Sequence, residues 1–136
     1  MAVSLPIYRA PTTPMPILII ANGELTHPDW IRPYVSQATA VIAADGGANH
    51  LAALGLIPTA LVGDCDSITA NLLDDLRQRG VIIEQHPPAK NETDLELAFA
   101  YALRHYPTET IWLVGVIGDR LDHTVANILL LAHPML

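Results

Sequence analysis

Aspartate and glycine recur in four short clusters, and their chemistry is the most informative feature of the chain. Asn22-Gly23, Asp45-Gly46-Gly47, Gly63-Asp64-Cys65-Asp66-Ser67 and Gly118-Asp119-Arg120-Leu121-Asp122-His123 punctuate an otherwise apolar sequence. Carboxylate oxygens are hard ligands that suit magnesium, an ion that keeps waters and also binds substrate phosphates. Asp64 and Asp66, two apart in a turn, can both face one ion. Glycines let backbone approach a phosphate closely. Arg120 offers a planar fork to phosphate oxygens, and His123 stands beside Asp122 and Arg120. Any one cluster alone reads as ordinary turn chemistry; four of them together point to a phosphate-handling site. Cys65 reads as a small buried residue rather than a nucleophile. The six histidines lack zinc spacing, and Asp74, Asp75, Arg77 and Arg79 read as a solvated helix face.

The elements that must position these clusters follow from hydrophobic patterning. Near-continuous apolar runs at 16–21, 39–44, 60–62, 81–84 and 110–116 have the character of strands covered on both faces. Helical patterns are expected at 29–37 (interrupted near Pro33), 47–54 and 123–133. A further helix is expected from a Ser67 cap to Arg79, with Gly80 as the stop. Thr93 and Glu96 have capping-box spacing ahead of a helix over 97–105. Strands alternating with helices predict an α/β domain, a mostly parallel open sheet flanked by helices in a Rossmann-like three-layer arrangement. The four clusters follow the first, second, third and fifth strands. They are therefore expected to gather along the carboxyl rim of the sheet, where open α/β sheets bind ligands.

Composition narrows the function classes. The chain has 136 residues, 51% of them hydrophobic, a mean hydropathy of +0.32 and a formal charge of -7. That is enough apolar material for one domain with a real core. The acidic balance argues against nucleic acid as a partner, since phosphate backbones are bound by excess Lys and Arg. A nucleotide stays compatible if metal ions supply the positive charge. One cysteine allows no internal disulfide and fits a cytoplasmic location. No apolar stretch reaches the length of a membrane span, so no membrane partner is expected. Residues 1–15, with Pro6, Pro11 and Pro14, read as a flexible leader rather than a secretory signal. There is no G-x-x-x-x-G-K-[ST] loop and no G-x-G-x-x-G after the first strand. Ile68 breaks the pattern of a calcium loop.

Taken in order, Asp45-Gly46-Gly47-Ala48-Asn49, Gly63-Asp64-Cys65-Asp66-Ser67, Lys90-Asn91-Glu92-Thr93-Asp94 and Gly118-Asp119-Arg120-Leu121-Asp122-His123 resemble the motifs of thiamin pyrophosphokinase. The similarity runs from about residue 16 to residue 133. It implies transfer of a diphosphate from ATP to the hydroxyl of thiamin, with Mg2+ as cofactor, ATP as co-substrate and AMP as the second product. By that resemblance Asp64, Asp66 and Asp94 are the magnesium ligands. Asp45, Asn49, Arg120, Asp122 and His123 line the nucleotide site, and Asp94 and Arg120 take the catalytic roles. The resemblance also implies a homodimer when full-length, in which an α/β domain is followed by a β-sandwich domain. The α/β domain is expected at 16–136, with the β-sandwich absent from these residues. Asn91 stands where the family usually has aspartate, and Asp119 where a second glycine is usual.

Three other readings fit parts of the pattern. A related diphosphokinase acting on a pterin alcohol would share the donor site. A phosphatase using Asp64 as nucleophile and Asp66 as acid would use one cluster, but Gly63 breaks its apolar lead-in and the other clusters would have no role. A non-catalytic nucleotide-binding module would accommodate the departures at Asn91 and Asp119.

Overall fold

The computed structural model describes residues 16–88 and 91–116. Five parallel strands form one sheet: β1 Ile17–Ile20, β2 Ala40–Ala44, β3 Ala60–Gly63, β4 Ile82–Gln85 and β5 Ile111–Val114, in the order β4-β3-β2-β1-β5. The helices are α1 Arg32–Gln37, preceded by a 3-10 turn at Pro28–Ile31, α2 Gly47–Ala53, α3 Ala70–Gln78 and α4 Asp94–His105. The expected α/β class and parallel sheet are what the chain adopts.

The layering follows from the handedness of crossovers. From β1 to β4 the chain steps in one direction across the sheet, so α1, α2 and α3 fall on one face. The passage from β4 to β5 runs back the other way. A right-handed crossover then requires its helix to lie on the opposite face, and α4 packs there across β3, β2 and β1. Side chains of each strand divide accordingly. Ile17, Ile19, Ile42 and Val62 meet Leu95, Ala98, Phe99 and Ala102 of α4. Leu18, Ile20, Val41 and Leu61 meet Leu51 and Leu76 on the other side. All four β1 side chains are almost completely buried. Burying each such side chain is worth about 1.5–3 kcal/mol, which makes β1 the anchor of the rim built at its end.

The edge strand β4 is more open, and Ile82 is half exposed. Its Glu84 binds α4 through Arg104 Nη2 at 2.6 Å and meets His86 Nε2 at 3.0 Å. Burial raises the Glu84 carboxyl, but the His86 and Arg104 contacts outweigh it and leave its pKa lowered.

Two helix starts are instructive. Thr93 caps α4 as expected, its Oγ1 accepting from Glu96 N at 3.1 Å. The start of α3 corrects the sequence reading. Thr69, not Ser67, is the N-cap, accepting from Leu72 N at 3.2 Å. Ile68 is buried between them and Ile68 N bonds Cys65 O, so the chain makes a turn before the helix begins. The helix expected at 123–133 lies outside the described residues.

Candidate active site at the carboxyl rim

The sheet reverses its strand order at β1, between β2 and β5. Ligands of open α/β sheets sit outside the carboxyl ends at such a point. Here the exits of β1 and β5 are stitched together: Gly23 N donates to Gly115 O at 2.6 Å. Gly115 has φ +75°, and a Cβ there would stand 2.5 Å from Ala21 O, so only glycine lets the two exits close up.

Next to this point, β2 and β3 deliver one aspartate each. Ala44 pairs with Val62, so Asp45 and Asp64 leave adjacent strands side by side. The N-terminus of α4 adds Asp94, a position where the helix dipole favours a negative charge. One carboxylate oxygen from each of Asp45, Asp64 and Asp94 lies within 4.8 Å of the others. Opposite ligands of one magnesium ion are about 4.2 Å apart, so small side-chain rotations would close the three around a cation. Gly63 makes the approach feasible, because a Cβ there would meet Asp94 Oδ1 at 2.8 Å. The backbone N–H of Asp64 donates to the same Oδ1 at 3.3 Å.

Asp45 shows what this arrangement demands. Only 7% of its surface is exposed, and it adopts a left-handed backbone at φ 44°. Its Oδ1 has no hydrogen-bond partner among the described residues. Burial raises its pKa from the ordinary aspartate value, the Asp94 and Asp64 charges add to this, and a hydrogen bond from Ser67 opposes it. A buried, unpartnered carboxylate oxygen beside two further carboxylates is poorly served by protein alone. A hard divalent cation would satisfy all three, so the donor set fits magnesium.

The expected site residues divide into three groups. Asp45, Asp64 and Asp94 come together. Asp66 lies on the same loop but is exposed and outside that group, its N–H donating to Asp64 Oδ1 at 3.0 Å. Asn49, on α2, directs its amide to Ser67 O at 2.8 Å. Arg120, Asp122, His123 and the departure at Asp119 lie outside the described residues. Asn91 is exposed just before α4. Cys65 is buried, with its thiol pKa raised first by burial and then by Asp45 and Asp64, which suits an inert packing residue. Sequence reasoning missed that Asp45 belongs with the carboxylate group and that Ser67 serves it. The first follows once β2 and β3 are known to be neighbours, since each is followed at once by an aspartate.

Fold and site together define an open parallel α/β domain with three carboxylates grouped at its carboxyl rim. Comparison with known proteins gives the family. The family model described as thiamin pyrophosphokinase, catalytic domain, matches residues 31–135, and the chain belongs to that family. The thiamine pyrophosphokinase of Bacillus subtilis is 33% identical over 115 residues, covering 85% of this chain and 53% of that protein. Its crystal structure superposes with a TM-score of 0.69 at 34% identity, covering 85% of this chain and 54% of the other. A thiamin pyrophosphokinase family protein from Enterococcus faecalis gives 0.71 at 26% identity, covering 88% and 55%. The chain thus spans about half the length of these relatives.

Proposed function

We propose that this chain carries the ATP–magnesium half of an enzyme that transfers diphosphate from ATP to the hydroxyl of thiamin, giving thiamin diphosphate and AMP. The observation that carries the reading is the buried Asp45, unpartnered at Oδ1, grouped with Asp64 and Asp94 at the carboxyl rim of a fold shared with thiamin pyrophosphokinases. Asp45, Asp64 and Asp94 would hold the ion, with Asp66 exposed on the same loop as Asp64. Magnesium, when bound, offsets the charge of the diphosphate being transferred.

The protein's part is alignment and charge placement, as in phosphoryl transfer generally. The thiamin oxygen forms a bond to the β-phosphorus of ATP as the bond from that phosphorus to the oxygen bridging it to the α-phosphorus breaks, and AMP leaves with that oxygen. The hydroxyl proton passes to a rim carboxylate or to water; Asp94 fills that role only through an oxygen not given to the metal. Arg120, Asp122 and His123 are proposed nucleotide contacts on sequence grounds. The acceptor pocket and the contacts of a cytoplasmic homodimer are proposed to involve a β-sandwich domain in a longer protein, with 16–136 as its ATP-binding domain. Among the described residues, no helix is long and apolar enough to cross a membrane.

The test is product formation by the purified polypeptide. Incubation with ATP, MgCl2 and thiamin should yield AMP and thiamin diphosphate in equal amounts. Turnover with a pterin alcohol and none with thiamin would overturn the acceptor assignment.

A further inference from the structure

Helix α2 touches the loops on both sides of β2. At its start, a Cβ on Gly47 would stand 1.9 Å from Ile20 O, so the helix is seated directly on the end of β1. Its His50 Nε2 lies 2.7 Å from Gly23 O, an acceptor, so that nitrogen carries the hydrogen and fixes the helix to the β1 exit. On the other side, Asn49 Nδ2 donates to Ser67 O at 2.8 Å. Ser67 in turn bonds the Asp45 carboxylate. The loop it belongs to needs holding. Cys65 sits at φ 66°, a left-handed conformation that a non-glycine residue resists, and the carboxylates this loop brings together repel one another.

We propose that Asn49 is a positioning residue: its amide links the seated helix α2 to the 64–67 loop and so holds Asp64 in place against Asp45 and Asp94. This rests on the cation site proposed above and deepens it. The resemblance places Asn49 in the lining of the nucleotide site; one hydrogen of its amide is engaged with Ser67 O.

The test titrates the 136-residue chain with MnCl2 in the absence of nucleotide, following free Mn2+ by electron paramagnetic resonance, and then with Mn-ATP. The variants are Asn49→Ala, Asn49→Asp and Asn49→Gln, with Asp64→Asn as the site control and thermal melts to verify folding. Removing one such hydrogen bond should weaken binding about fivefold, so Asn49→Ala loses that much affinity for Mn2+ alone. Asn49→Asp, which cannot donate, also weakens it despite its added negative charge. Asn49→Gln, which keeps a donor on a longer arm, recovers part of the loss. Mn2+ binding unchanged in Asn49→Ala, with only Mn-ATP weakened, would make Asn49 a nucleotide contact and overturn the proposal. Tighter Mn2+ binding by Asn49→Asp would make it a bystander and overturn it equally. If the parent binds Mn2+ no better than Asp64→Asn, the cation site itself falls, and the positioning role with it.

Discussion

Asp45 joins three features at one residue: a left-handed backbone, near-complete burial and a carboxylate oxygen without a hydrogen-bond partner among the described residues. Each is unfavourable for the metal-free fold. Its raised pKa fixes the sign of the pH dependence. The folded chain holds this proton more tightly than the unfolded chain does. Ionised Asp45 therefore costs stability above its folded pKa, and the cost is relieved as pH falls through that value. Asp45→Asn should raise the melting temperature of the metal-free chain at neutral pH by roughly 3–5 °C, on the scale that about 1 kcal/mol gives in a domain of this size. The advantage should shrink on acidification. MgCl2 should stabilise the parent and leave the variant unmoved; a variant that melts below the parent without metal would contradict this reading. Residue by residue, the sequence made Asp64 and Asp94 legible because they sit in motifs. The membership of Asp45 in the same group was hidden by 18 intervening residues and emerges only when β2 and β3 are paired.

At the scale of elements, the rim depends on how closely helices approach strand ends. Gly47 shows this most directly, since a methyl group would have to occupy the space of Ile20 O. Gly47→Ala should cost about 3 kcal/mol, the upper part of the usual range for overpacking. Urea unfolding should show a lower midpoint with an unchanged slope; a midpoint equal to the parent's would mean that α2 is not pressed on β1. The apolar runs located all five strands to within a residue or two, because buried parallel strands tolerate little else. The Thr93 cap was equally legible from its spacing to Glu96. The α3 cap was not. Ser67 and Thr69 are both good caps, and the choice between them was made by burial of Ile68, which local propensity does not encode.

For the whole molecule, the order β4-β3-β2-β1-β5 is what turns scattered motifs into one site. The reversal at β1 brings the exits of β1 and β5 together, and the acidic group stands beside them at the ends of β2 and β3. Alternation of strands and helices made the class of fold readable. The order of strands was not readable from it, because many parallel orders share one alternating pattern.

On the function proposed above, this rim binds ATP through a cation held by Asp64 and its neighbours. Calorimetry of ATP binding to the parent and to Asp64→Asn, each with MgCl2 and with chelator, addresses it directly. The parent should bind in magnesium and lose that binding in chelator, and Asp64→Asn should lose it with its melting temperature retained. ATP binding to Asp64→Asn in magnesium at the parent's affinity would contradict it.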